Sequence, residues 1–505
     1  MNVSPRRLRL VLLLIVGAAV LWQRFPLRHG TQGPPGKPIA TASAPLTLKR
    51  GSLTLDACEL NAPHSPAAPV AAYCADVTVP EDRTHPEGRR ITLKVAVVPT
   101  TGEKPDRDAV TFLDGGPGGA ALSDYPLVAG AFAPLRKSRD VLLVDQRGTG
   151  GSHAFKCKQG AETDTAARVR ACSDAVSASA DPRFYTTMDA TADLDDVRQR
   201  LGYPTLTVVG VSYGTRVAQI YARDYPLAVR ALVLDSPVPN ALTLGSEHAL
   251  NLDASLTARF AGCAADAACR TRFGDPMQTL HQLLATLTTH PVDVDIADPI
   301  THSARHERVT RASLAQLVRF YAYSPITSAV LPLTLDEARK GHYEPLLGQL
   351  LLVQGDLSTR LDGPMELSVL CSEDAPLLTE RAEDVRTVLG SGFVKEAKIA
   401  CGEWPHAPMP GNFHAPLKGA VPTLILVGEF DPVTPPRYAH DIAQHLSGAR
   451  VVIMNGQGHS VMGTGCAPEV VRHFVESADS KTLDVTCLAR ERAAPFFLDY
   501  AGSAP

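Results

Sequence analysis

The 505-residue sequence predicts an α/β protein: a mostly parallel central sheet with helices on both faces, interrupted by a mainly helical insertion. Three observations predict it. Short β-branched runs alternate with longer stretches of helical apolar spacing. Those runs are apolar throughout rather than at every second residue, as strands covered on both faces must be. The alternation stops near Pro237 and resumes near Val421, which brackets an insertion.

Taken in order, residues 1–28 open with Arg6, Arg7 and Arg9 ahead of an uncharged apolar run, Leu10 to Trp22, the pattern of an export signal. The run is shorter than the ~20 residues that cross a bilayer as a helix, and Arg24 and Arg28 follow it without a small-x-small cleavage site. A cleaved signal peptide and a retained N-terminal anchor both fit; the competing reading is a cytosolic chain with an apolar first helix. Residues 29–46, rich in Gly, Pro, Ala, Ser and Thr, read as a linker.

Residues 47–236 form the first part of the core. Ala75–Val79 and Ile91–Val98 have the alternation of antiparallel edge strands. Strands follow at Ala109–Leu113, Val141–Val144, Leu206–Val209 and Ala231–Leu234, with helices over Ala192–Leu201 and Thr215–Tyr225 between or after them. Residues 237–415 are predicted as a helical cap, with amphipathic stretches at Met277–Leu287 and Leu314–Tyr321. In residues 416–505 the core resumes with strands Val421–Val427 and Arg450–Met454 and helices Pro436–Leu446 and Pro468–Ser477.

A net charge of −4 without a Lys/Arg stripe argues against a nucleic-acid partner. Loss of everything through Arg28 would remove five Arg and no acid, giving −9. The ten Cys fall into near neighbours: 58 with 74, 157 with 172, 263 with 269, 371 with 401, 466 with 487. No Cys-x-x-Cys supports zinc, so local disulfides in an oxidising compartment are expected, with free thiols as the alternative and connectivity open.

The chemistry centres on Gly210-Val211-Ser212-Tyr213-Gly214. It follows a strand and opens a helix, the setting in which a tight turn exposes a nucleophilic serine. A serine hydroxyl needs a base to take its proton and an acid to orient that base. Asp431, in the loop after Val427, is the predicted acid, with Glu429 and Asp235 as rivals; His459, after the next strand, is the predicted base. An oxyanion hole is expected from the N–H groups of Tyr213 and Gly116, with Gly115 as the fallback. The residues imply no cofactor and no metal.

Together these motifs resemble the prolyl iminopeptidase and tripeptidyl aminopeptidase branch of the α/β-hydrolases, serine exopeptidases acting at peptide N-termini. The resemblance rests on Gly115-Gly116-Pro117-Gly118, Asp145-Gln146-Arg147-Gly148-Thr149-Gly150, Gly210 to Gly214, Gly428 to Pro432 and Gly458-His459, and covers roughly residues 50–490. Cys466 and Cys487 are similar to the C-terminal portion of secreted tripeptidyl aminopeptidases. Asp114 stands where prolyl iminopeptidases commonly carry His, which leans toward the secreted branch.

The resemblance implies an α/β-hydrolase fold, an exported enzyme, a peptide substrate with a free N-terminus, and a bracing role for the Asp145–Gly148 segment. It also implies a carboxylate for the substrate amine, for which Glu373, with Asp374 behind it, is the candidate; an exposed acidic pair is the bland alternative. An esterase or small-molecule amidase on the same scaffold, or a non-catalytic binding protein, are the competing functions.

Overall fold

The computed structural model describes residues 45–503 apart from 64, 158–163 and 361–362. The predicted export segment, and all but the last two residues of the predicted linker, lie outside them.

Ten strands form one sheet in the order β1-β2-β3-β4-β6-β5-β7-β8-β11-β12. At one edge Thr47–Arg50 (β1), Leu53–Leu60 (β2), Val70–Pro80 (β3) and Arg90–Val98 (β4) pair antiparallel. Beyond them Ala109–Leu113 (β5), Asp140–Val144 (β6), Leu206–Val211 (β7), Val229–Asp235 (β8), Thr423–Gly428 (β11) and Ala449–Met454 (β12) run parallel. The mostly parallel sheet inferred from the sequence is therefore present.

Successive side chains on the central strands serve opposite faces. On β8, Leu232 and Leu234 join the layer under helices Thr187–Leu201 and Tyr213–Asp224; Ala231 and Val233 join the layer under Ala121–Phe132 and Ala467–Ser477. Apolar residues at every position, as in Leu424–Val427 of β11, follow from this double coverage. Helix Thr187–Leu201 is bounded as its sequence dictates: Thr186 and Asp189 form a capping box, and Gly202 ends it at φ 76°.

Between β8 and β11 the chain builds a separate apolar cluster from helices including His248–Ala265, Pro276–Thr289, Arg311–Tyr321 and Pro325–Arg339. One feature departs from the helical rhythm read there: Val292–Ala297 (β9) and Ala304–Val309 (β10) form an antiparallel hairpin. Its second strand, Ala-Arg-His-Glu-Arg-Val, is almost wholly polar, so a period-two apolar signal is missing.

The five expected cysteine pairs are all disulfides, with no free cysteine among the described residues. Such a set belongs to a protein matured under oxidising conditions. Among the described residues no helix is long and apolar enough to cross a membrane.

Candidate active site

The chain leaves β5 toward β6 on one side and β7 toward β8 on the other, although β5 and β7 are neighbours. A crevice therefore opens beyond their carboxyl ends, where the strand order reverses. Leu113 and Gly210 are register partners, so the Gly115–Gly119 loop and the Ser212 turn emerge side by side.

Ser212 sits between β7 and helix Tyr213–Asp224 at φ 54°, ψ −124°, a conformation that L-residues rarely adopt. Holding it costs about 1–3 kcal/mol, offset by the surrounding structure. Its N–H donates to the Asp235 carbonyl (3.0 Å), and its carbonyl accepts from Thr215 N–H (2.9 Å). Both glycines of the motif are needed sterically. A Cβ on Gly210 would lie 2.4 Å from the Gly214 carbonyl oxygen; one on Gly214 would lie 2.1 Å from that of Leu113.

Asp431 and His459, distant in sequence, come together: His459 Nδ1 lies 2.8 Å from Asp431 Oδ2. The Asp431 carboxylate also accepts from Val433 N–H (2.9 Å), Thr434 N–H (2.8 Å) and Thr434 Oγ1 (2.9 Å), so its orientation is set before any substrate arrives. The Asp431 side chain is fully enclosed and that of His459 is 7% exposed. Burial works against the imidazolium, but the charge and hydrogen bond of Asp431, with Asp235 behind, outweigh it and the His459 pKa is raised. With Nδ1 committed to Asp431, Nε2 is the nitrogen left to act as base.

The rivals for the acid have other partners. Glu429 is exposed and accepts from Gly456 N–H (2.8 Å). Asp235 is buried and accepts from Val461 and Met462.

For the oxyanion, Tyr213 contributes the first N–H of a 12-residue helix, a group with no intrahelical acceptor. The second loop passes close by: a Cβ on Gly115 would lie 3.8 Å from Ser212 Oγ. Gly115 N–H, however, donates to Asp114 Oδ1 (2.7 Å), which favours Gly116 over Gly115 as the second donor. Gly116, at φ 110°, has the backbone freedom that a closely approached donor loop uses.

Glu373 and Asp374 are placed differently from a pair awaiting a substrate amine. Both side chains are fully enclosed. Asp374 accepts from Arg216 Nη1 (2.7 Å) and Leu244 N–H (2.9 Å). Glu373 accepts from Thr187 N–H (2.6 Å) and Thr187 Oγ1 (2.9 Å), and that hydroxyl lies 2.6 Å from the Tyr213 phenol. Burial, only partly opposed by Arg216, pushes the Glu373 carboxyl up to about 8. Contact with a substrate amine at either residue requires this segment to open.

Arg147 braces instead of reacting: fully buried, it donates Nε and Nη2 to Asp193 (2.7 Å each) and Nη1 to the carbonyls of Glu81 and Phe184.

Sequence reasoning missed Thr434, Thr187 and Tyr323. Thr434, three residues after Asp431, was legible as an Asp-x-x-Thr turn in which side chain meets backbone. Tyr323 had no such signal: its ring meets the His459 imidazole edge-on at 5.0 Å, and its carbonyl accepts His459 N–H (2.7 Å), a contact only the fold creates.

A serine in a strained strand-to-helix turn, a histidine held by a carboxylate and a glycine loop, all beyond the carboxyl ends of parallel strands, are features of a hydrolase of the α/β type. Residues 108–465 match the family described as alpha/beta hydrolase fold, and the chain belongs to it. Among curated proteins it is 26% identical to "Serine protease Hip1" of Mycobacterium tuberculosis (strain ATCC 25618 / H37Rv), covering 81% of this chain and 85% of that one. It is 25% identical to "Tripeptidyl aminopeptidase" of Streptomyces coelicolor, covering 85% of each. A shorter stretch of 130 residues, 26% of this chain and 33% of the relative, is 34% identical to "Proline iminopeptidase" of Neisseria gonorrhoeae.

Proposed function

We propose that this chain is a serine exopeptidase that removes residues from the free N-terminus of peptides through an acyl-enzyme on Ser212. The observation that carries the reading is the 2.8 Å pairing of His459 with Asp431 on the strands that follow the Ser212 elbow in the sheet. The serine protease and aminopeptidase names of relatives matched over most of the chain support the substrate class.

In the first half-reaction Ser212 Oγ attacks the scissile carbonyl carbon while His459 Nε2 takes its proton. Charge developing on the carbonyl oxygen is met by the N–H groups of Tyr213 and Gly116, and Asp431 stabilises the imidazolium without taking its proton. His459 then protonates the departing amine. In the second half-reaction His459 deprotonates a water that hydrolyses the ester, releasing the N-terminal fragment. The disulfides and the apolar run Leu10–Trp22 support an exported setting, periplasmic or extracellular, with the N-terminal segment removed or kept as an anchor.

The test is turnover of prolyl- and alanyl-alanyl-prolyl-coumarin amides, their N-blocked versions and p-nitrophenyl esters, with Ser212→Ala as control. Free-amine peptides should be cleaved and blocked ones spared; indifference to the block would sink the exopeptidase reading and favour an esterase or amidase. Glu373→Gln separates two roles. An amine contact predicts a higher KM for free-amine peptides alone, whereas support of Tyr213 predicts a lower kcat for peptides and esters alike.

A further inference from the structure

The strand order places β8 between β7, which carries Ser212, and β11, which leads to Asp431. β8 ends at Asp235, a 2% exposed carboxylate that the proposed reaction does not use. Its Oδ1 accepts Val461 N–H (2.9 Å) and its Oδ2 accepts Met462 N–H (2.8 Å). The next residue, Ser236, accepts Ser460 N–H on Oγ (2.8 Å). Three successive N–H groups directly after His459 are thus held by two neighbouring side chains at the carboxyl end of β8. Ser236 and Ser460 both lie at left-handed φ, 56° and 64°, so the clasp holds two non-glycine residues where chains seldom rest. Asp235 also gives its carbonyl to Ser212 N–H (3.0 Å), so one residue is bonded both to Ser212 and to the segment that follows His459.

Packing alone does not require this arrangement. Val461 and Met462 are buried apolar residues at 1% and 4% exposure, and an uncharged anchor would keep them there. A buried carboxylate is costly unless its hydrogen bonds and nearby charges compensate for lost water. Here both oxygens receive backbone donors, and the charge acts on His459 in the same sense as that of Asp431.

We propose that Asp235 is the positioning carboxylate of His459, clamping residues 461–462 to set the ring and adding negative charge that favours the imidazolium formed as Ser212 gives up its proton. The proposal rests on the Ser212–His459–Asp431 reading. The other groups around His459 are few. Asp431 faces Nδ1 with Thr434 Oγ1 3.4 Å away, and the Tyr323 ring meets the imidazole edge-on, with Arg319 and Glu366 acting on Tyr323. His248, held down to about 3 by burial and by Arg319 and His459, is neutral at physiological pH. Burial pushes Asp235 up to about 6 against the pull of the Val461 and Met462 N–H groups, which leaves it mostly ionised near neutrality.

The experiment measures the rate of fluorophosphonate labelling of Ser212 against pH in the full chain, for wild type, Asp235→Asn, Asp235→Glu and Ser236→Ala. Asp235→Asn should slow the plateau rate about tenfold and move the acid limb down by about 0.5–1 pH unit, because a charge favouring the imidazolium is gone. Asp235→Glu keeps the charge but displaces the clamp, and Ser236→Ala removes only a neutral bond; both should label more slowly with the limb unmoved. A wild-type limb in Asp235→Asn overturns the proposal, as does a limb in Asp235→Glu that moves with it. If Asp235→Asn does not fold, Asp235→Glu carries the test, and an undiminished rate overturns the clamp. Labelling does not depend on peptide preference. Failure of wild type to label would instead remove the triad reading itself.

Discussion

At the scale of residues, the site works by commitments made in advance. Asp431 is held by three donors besides His459, so a change that keeps its shape but reverses a hydrogen-bond role should be felt in the chemistry. Asp431→Asn should leave the fold intact, seen as an unchanged circular dichroism spectrum, while lowering kcat about 10³–10⁴-fold by favouring the wrong tautomer of His459. The pH profile follows from the raised His459 pKa. The base must be neutral to accept a proton, so kcat/KM should rise with pH through a value above the ordinary 6.5 and fall away below it. An acid limb well under 6.5 would contradict the environment described for His459. Ser212, Asp431 and His459 were legible as candidates because strand ends are legible: each follows a run of apolar β-branched residues, and a sheet of this kind opens its crevice there. The partners of Glu373 were not. Nothing local in Leu370-Cys371-Ser372-Glu373-Asp374 announces that Thr187 and Arg216, far away in the chain, enclose those carboxyls.

At the scale of elements, the turn between β7 and helix Tyr213–Asp224 admits no side chain at its flanks. Gly214→Ala would drive a Cβ against the Leu113 and Asp114 carbonyls, separating the Gly115–Gly119 loop from Ser212. The expected cost is at least about 2–3 kcal/mol, measured by urea denaturation, with activity lost in whatever remains folded. Helix Thr187–Leu201 meets the site through its first residue. Thr187→Val would strip Glu373 of a hydroxyl donor and leave the Tyr213 phenol with Gln146 alone of its two partners. A loss of about 1–3 kcal/mol in stability is expected, together with a lower kcat if the network holds the oxyanion donor. Some elements that the sequence did not announce are polar. β1 is a short, largely exposed edge strand, and the β9–β10 hairpin has little apolar alternation, so neither offers the pattern that marks β5, β7 or β11.

At the scale of the molecule, the sheet and the inserted helices divide the labour. The sheet places Ser212, Asp431 and His459 just beyond the ends of β7, β11 and β12, and the chain between β8 and β11 supplies Tyr323, against the His459 ring, and Glu373, against Thr187. Cys371–Cys401 ties two helices of that insertion together across a separation of 30 residues. Replacing both by Ser should lower stability by about 3–4 kcal/mol on the loop-entropy account, read as a lower Tm. A Tm indifferent to the loss would assign the bond a purely local role. The alternation of strand and helix predicted the sheet because burial on both faces leaves a strong compositional trace. What reaches Ser212 leaves no such trace, since a cap's inner surface is assembled from residues scattered over its length.

The most direct test of the account is mass spectrometry of the intact protein after a fluorophosphonate, followed by peptide mapping. The prediction is one adduct, on Ser212, abolished in Ser212→Ala and strongly slowed in His459→Ala. An unlabelled wild type, or an adduct on any other residue, would contradict it.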